Sequence, residues 1–201
     1  MRAIKRACLA ESRQESTKVM ERETDLFIKQ LRKGDRAACQ RLVGDYGPAV
    51  FQMVRRIVMR QEDAEEVWQD VFVKALRGIG GYDSRKASLS TWLCRIAYHE
   101  SLNFVRTRRP DVVYMDEHDL GLNGLDDTPE ENAGDSHTVE ALEEALEMLP
   151  PHELAAITMF YYDNMNLADI AYVTGSIPST IGSQLSRIRK KLYRIIISKH
   201  V

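Results

Sequence analysis

NLADIAYVTGSIPSTIGSQLSRIRKKLYR, residues 166–194, decides how the C-terminal part of this chain folds. Asn166 is a helix N-cap residue with Asp169 three positions on, an arrangement in which cap and acid satisfy backbone N–H groups reciprocally. Gly175 stops that short helix, since the left-handed residue that ends a helix is cheapest without a Cβ. Pro178 falls in the first turn of the next helix, where its missing N–H costs nothing. A short helix, a tight turn at Thr174, Gly175 and Ser176, and a second helix form the layout of a helix-turn-helix, whose second helix lies in the major groove of DNA. On that second helix Ile181, Leu185, Ile188 and Leu192 make the inward stripe, while Thr180, Gln184, Arg187, Lys191 and Arg194 line another face. Gln184 and Arg187 suit base edges, and the remaining side chains suit phosphates. The same pattern also fits an ordinary helical hairpin with a solvated charged face, because an isolated helix-turn-helix match is not specific.

Charge sharpens the choice. Every Lys and Arg lies at or before Arg109 or at or after Arg187, so residues 1–110 carry a net +8, residues 111–186 a net −16 and residues 187–201 a net +6, within a total of −2. Two basic segments tethered by an acidic middle imply contact with a polyanion at two places. A length of 201 residues leaves room for two small domains. No apolar run approaches the ~18–20 residues that span a bilayer, and residues 1–24 lack the apolar stretch of a signal peptide, so the expected compartment is the cytoplasm. Cys8, Cys39 and Cys94 are odd in number and have no Cys-x-x-Cys spacing, which points away from disulfides and zinc sites. No metal and no cofactor is expected.

Upstream the periodicity is helical nearly throughout, with no alternating strand-type runs, so the fold class is all-α. Residues 25–33 form a helix ended by Gly34, and Asp35 caps a second with Ala38, Leu42 and Val43 inward. Gly47 and Pro48 are expected to break it. A third helix carries Val50, Phe51, Val54, Ile57 and Val58, and a fourth runs over 64–76 with Val67, Val71 and Ala75 inward and Trp68 exposed. A Gly-rich loop over 78–90 contains the lone aromatic Tyr82 and leads to a helix over 89–106 with the apolar stripe Leu89, Trp92, Leu93, Ile96, Ala97. Opposite that stripe stand Arg95, His99, Asn103 and Arg106, followed by Arg108 and Arg109, which reads equally as a nucleic-acid face or as a solvated helix with a basic end. Residues 110–137 have little periodicity and read as an acidic flexible linker, after a flexible tail over 1–23. The C-terminal domain, 138–201, opens with an amphipathic helix (Val139, Leu142, Leu146, Leu149) stopped at Pro150 and Pro151, and a further helix spans 152–163.

Taken together, Asp63-Ala64-Glu65-Glu66-Val67-Trp68-Gln69-Asp70-Val71-Phe72, Ser90-Thr91-Trp92-Leu93 with Arg95-Ile96-Ala97, Leu149-Pro150, Asp169-Ile170-Ala171 and Ser186-Arg187-Ile188-Arg189-Lys190-Lys191-Leu192 resemble bacterial sigma factors of the extracytoplasmic-function group. The resemblance implies a region 2-like domain over 24–109 and a region 4-like domain over 138–201. It further implies that Glu66, Gln69 and Asp70 contact core RNA polymerase and that the loop over 78–90, with Tyr82, captures a base flipped from the −10 element. Trp92, Arg95, His99, Asn103, Arg106, Arg108 and Arg109 would hold that element. Thr180, Ser183, Gln184, Arg187, Lys190, Lys191 and Arg194 would meet the −35 element. The implied partners are core RNA polymerase, promoter DNA and an anti-sigma factor, free or membrane-anchored. Departures from the family pattern are His99 and Asn103 where many relatives have Asn and Asp, Gly182 and Gln184 where Lys and Arg are frequent, and a segment over 1–19 without counterpart ahead of Met20.

Two other classes compete. A free-standing helix-turn-helix regulator would need a sensory N-terminal domain, yet residues 1–110 show no strand–helix alternation and no evident ligand pocket. An enzyme would need a nucleophile and base that meet, whereas Cys94 and His99 lie five positions apart on one helix, and Gly78-x-Gly80-Gly81 lacks the Lys-Ser/Thr of a phosphate loop. The expectation is a non-enzymatic protein.

Overall fold

Local punctuation sets the first boundaries. Gly34 takes φ +72° and its N–H donates to the Leu31 carbonyl at 2.9 Å, which closes helix α1, residues 23–32. One residue later the Asp35 carboxylate accepts from the Ala38 N–H at 2.8 Å and starts α2, Arg36–Ile57. The computed structural model describes residues 23–108 and 136–199. The expected tail, most of the expected linker and Arg109 lie outside the described residues. The remaining helices are α3 (Gln61–Gly78), α4 (Leu89–Arg108), α5 (Ser136–Glu147), α6 (Pro151–Tyr161), α7 (Leu167–Thr174) and α8 (Pro178–Lys199), with one 3₁₀ turn at Ile79–Gly81. Among the described residues there is no strand, and the all-α class holds.

One expected boundary is absent. Gly47 and Pro48 do not break the chain: α2 runs through Pro48 without interruption. An interior Pro removes one ladder bond and costs about 3 kcal/mol or more. The carbonyl it leaves without its usual partner belongs to Gly44, an exposed residue that water can reach. Tertiary packing supplies the offset, because Leu42 before the Pro and Val50, Met53, Val54 and Ile57 after it all face one core and are at most 2% exposed. A continuous helix buries both halves at once, at ~1.5–3 kcal/mol for each large apolar side chain.

That core belongs to α1 through α4, with Leu42, Met53, Val71 and Leu93 fully buried. It continues without a break into α5 through α8, around Met159, Ile170, Val173, Ile181 and Ile188, each also fully buried. The two domains touch directly, with α7 lying on α4 and α6 on α2. At this seam Arg56 clasps Asp163 through two hydrogen bonds, one of them 2.8 Å from Nη2 to Oδ1. Arg95 of α4 donates to the Tyr172 carbonyl of α7 while its guanidinium carbon stands 5.0 Å from the Tyr172 ring centre.

Candidate nucleic-acid and polymerase interfaces

The helix-turn-helix is built as its sequence punctuation requires. The Asn166 side chain accepts from the Asp169 N–H at 2.9 Å and donates to the Asp169 carboxylate at 2.7 Å. Gly175 takes φ +76°, and the Ser176 N–H returns to the Ala171 carbonyl at 2.9 Å. On α8 the stripe Ile181, Leu185, Ile188, Leu192 is buried as expected. Thr180, Ser183 and Arg187 are exposed on the far side, and Gln184, Lys190 and Arg194 are half-buried beside them.

Lys191 does not belong to that surface. It is 6% exposed, and its Nζ lies 2.9 Å from Oε2 of Glu153, itself 6% exposed in the first turn of α6. The expected phosphate contact is therefore corrected to a buried ion pair. The reason is angular: position 191 is three residues after Ile188 and one before Leu192, so it borders the apolar stripe.

Gly182 shows the opposite tolerance. A Cβ added there would meet only Leu167 Cδ1, at 3.9 Å, which is ordinary contact. Gly182→Ala should therefore stabilise the domain by roughly 0.4–1 kcal/mol, the helix-propensity gain, visible as a higher thermal midpoint. A lower midpoint would mean that α8 needs this Gly for packing.

In the N-terminal domain, Glu66, Gln69 and Asp70 share the exposed side of α3. Trp68, expected to be exposed with them, is half-buried instead. Its indole N–H donates to the Gly47 carbonyl at 3.0 Å, and its ring meets Phe72 edge-on at 5.2 Å between centres. Arg108, expected on DNA, reaches back across the domain to Asp63 at 2.9 Å and Glu66 at 3.2 Å and lies over the Phe104 ring. Thus the acid expected on polymerase and the base expected on the −10 element bind one another.

The proposed base-capture loop is more ordered than its glycines imply. Tyr82 is 6% exposed, its hydroxyl donates to the Ala87 carbonyl at 3.1 Å, and its ring packs on half-buried Trp92 with centres 5.4 Å apart. Burial pushes its phenol above the ordinary range. Tyr82 is therefore corrected from an open stacking platform to a strut inside the loop, because the phenol has both an apolar neighbour and an acceptor there. Arg95 is taken up by Tyr172 of α7, and neighbouring His99 makes a hydrogen bond to the Val173 backbone; desolvation, then the Arg95 charge, holds its pKa below the ordinary value. Asn103 and Arg106 remain exposed and are hydrogen-bonded to each other at 3.1 Å.

The catalytic alternative gains nothing from the site. Burial, then the Asp163 carboxylate, pushes the Cys94 thiol up to about 11, opposite to what a nucleophile requires. Glu100 is paired with Lys74. Among the described residues no group of three His, Cys, Asp or Glu side chains could hold a metal ion, and no helix is long and apolar enough to cross a membrane.

Contacts between distant elements escaped the sequence reading: Glu153 with Lys191, Asp163 with Arg56, Tyr172 with Arg95, and Arg32 with the carbonyls of residues 79, 80 and 82. Only Lys191 carried a local signal, its place at the margin of the apolar stripe.

Comparison with known proteins places these two domains in one context. Residues 42–110 match the Sigma-70 region 2 family and residues 139–192 the Sigma-70 region 4 family. The chain is 26% identical over 174 residues to the ECF RNA polymerase sigma factor SigW of Bacillus subtilis, covering 82% of this chain and 92% of that one. It is 27% identical over 175 residues to the RNA polymerase sigma-H factor of Pseudomonas aeruginosa, covering 83% and 90%. In fold it is similar to CnrH, solved in complex with the cytosolic domain of CnrY, with a TM-score of 0.61 at 21% identity and coverage of 86% of this chain and 96% of that one.

Proposed function

Because the chain belongs to the extracytoplasmic-function group of sigma-70 factors and so directs RNA polymerase to promoters, rather than acting as a stand-alone regulator, we propose how its surfaces divide that work. The exposed face of α8, with Thr180, Ser183, Gln184 and Arg187 backed by Lys190 and Arg194, reads the −35 element. The α3–α4 loop and the face of α4 bearing Asn103 and Arg106 serve the −10 element, joined by Arg95 and His99 once α7 leaves them. Glu66, Gln69 and Asp70 meet core polymerase. Domain limits near 24–109 and 138–201 follow from the same division.

The observation that carries this reading is the pairing of region 2 and region 4 matches, in order, with an exposed polar face on α8 at the helix-turn-helix position. Sigma factors are initiation factors, and we infer no catalysis of this chain's own. Work beside RNA polymerase is the ground for reading the cytoplasm as its compartment. CnrH was solved with the cytosolic domain of CnrY, and a sigma factor RpoE of Bartonella quintana with the anti-sigma factor NepR; a partner of that kind is the inferred regulator here.

Run-off transcription with purified core polymerase on a randomised promoter library tests the reading, since only a sigma factor yields enriched −35 and −10 sequences. Within it, Asp70→Lys is expected to weaken core binding tenfold or more by charge reversal against a basic partner, without loss of fold, because the site is exposed. Undiminished co-purification with core polymerase would remove Asp70 from the contact.

A further inference from the structure

The turn that leaves α3 is anchored inward by the buried side chains of Ile79 and Tyr82, while Gly80 and Gly81 give its outer backbone no side chain. A Cβ placed on Gly80 or Gly81 would meet nothing within 4 Å, so no packing presses on this backbone from outside. The carbonyls on that outer backbone are held from α1. Arg32 Nε donates to the Ile79 carbonyl at 3.4 Å, and Nη2 donates to the carbonyls of Gly80 at 3.5 Å and Tyr82 at 3.2 Å. One planar fork serving three carbonyls is a task for Arg, because a Lys ammonium is a point donor on a flexible stem. The other stem of the loop is fixed separately. The Tyr82 hydroxyl reaches the Ala87 carbonyl, and the Ser88 Oγ accepts from the Thr91 N–H at 3.0 Å to cap α4. Between these two anchorages only Ser84, Arg85 and Lys86 are exposed, with the Arg85 guanidinium tied to Asp83 at 2.9 Å.

We propose that Arg32 is a positioning residue for promoter opening: by clamping the backbone of residues 79–82 it fixes the height and orientation at which residues 83–86 meet single-stranded −10 DNA. The inference rests on reading this loop as the −10 site. Extruding a base from a duplex is unfavourable, since stacking and pairing are lost. A loop that must also order itself on contact adds that entropy to the opposing side, whereas a pre-ordered loop does not. Arg32 touches only this loop's backbone among its described hydrogen bonds, so its effect falls on −10 selection and not on the −35 helix, which belongs to the other domain.

The test uses holoenzyme made with core polymerase and the full chain, either wild type, Arg32→Ala or Arg32→Lys, transcribing a library randomised in both promoter elements. For Arg32→Ala the −10 preference should fall about tenfold while the −35 preference stays within twofold, and Arg32→Lys should lie between. Arg32 is exposed, so thermal midpoints close to wild type should accompany the change. Unaltered −10 and −35 profiles in both variants would overturn the inference. Equal flattening of both elements would also overturn it, since that is the pattern of a general loss of structure. If the wild-type holoenzyme selects −35 but no −10 sequence, the loop assignment itself falls, and this inference with it.

Discussion

Lys191→Ala should lower the stability of the C-terminal domain by roughly 3–5 kcal/mol, the range for removing one partner of a buried ion pair. The loss arises at Glu153, whose carboxylate keeps its buried place and loses the ammonium 2.9 Å away. Its seat in the first turn of α6 offers only the partial positive charge of free N–H groups, an effect of about 0.3–1 kcal/mol that cannot replace a full cation. Removing both charges should behave differently. Glu153→Leu with Lys191→Met should recover most of the loss, because the paired ions gain by attraction little more than they lose by leaving water. A lysine that met phosphate would show the reverse pattern, with stability unchanged and the salt slope of promoter binding reduced by about one. Urea denaturation of the wild type, the single variant and the double variant separates the two. An unshifted midpoint for Lys191→Ala would return Lys191 to the DNA face.

Trp68→Ala should be nearly as damaging in the other domain, by about 3 kcal/mol, at the lower end for aromatic truncation because the ring is only half-buried. Part of the effect is a lost hydrogen bond to the Gly47 carbonyl, ~1 kcal/mol. The rest is removal of the surface against which α2 rests at its weakest point: a Cβ on Gly47 would already stand 3.3 Å from Trp68 Cζ2, and Pro48 follows immediately. Trp68→Phe, which keeps a ring and loses the N–H, should cost less than half as much. Both follow from chemical denaturation monitored by far-UV circular dichroism. An Ala variant within ~1 kcal/mol of wild type would mean that α2 carries its Pro unaided.

Both residues show where sequence reasoning stops. Gly34, Asp35, Asn166, Gly175 and Pro178 announced helix ends correctly because a cap is a local event, complete within about four residues. Helical periodicity likewise gave the inward stripe of α8, since burial repeats with the turn. Pro48 carries the local signal of a break for the same reason, and there the local rule loses to two apolar half-faces sharing one core. The sequence pattern puts Trp68, Tyr82, Arg95 and Lys191 on surfaces because polar atoms and interrupted stripes look alike from one helix. Their environments are set by Gly47, Ala87, Tyr172 and Glu153, and except for Ala87 each is supplied by another helix.

With Arg95 read, as proposed, as a −10 contact, the hold of α7 on it makes that face a competed resource. DNA reaching for that guanidinium must displace Tyr172, so its observed affinity is the intrinsic one multiplied by the fraction of molecules in which the seam is open. Salt acts on both sides of this competition. It weakens phosphate contacts by counterion exchange, and it also screens the Arg56–Asp163 pair, whose side chains are 19% and 31% exposed. On that reading the free chain loses promoter affinity with rising ionic strength less steeply than its phosphate-facing cations alone dictate.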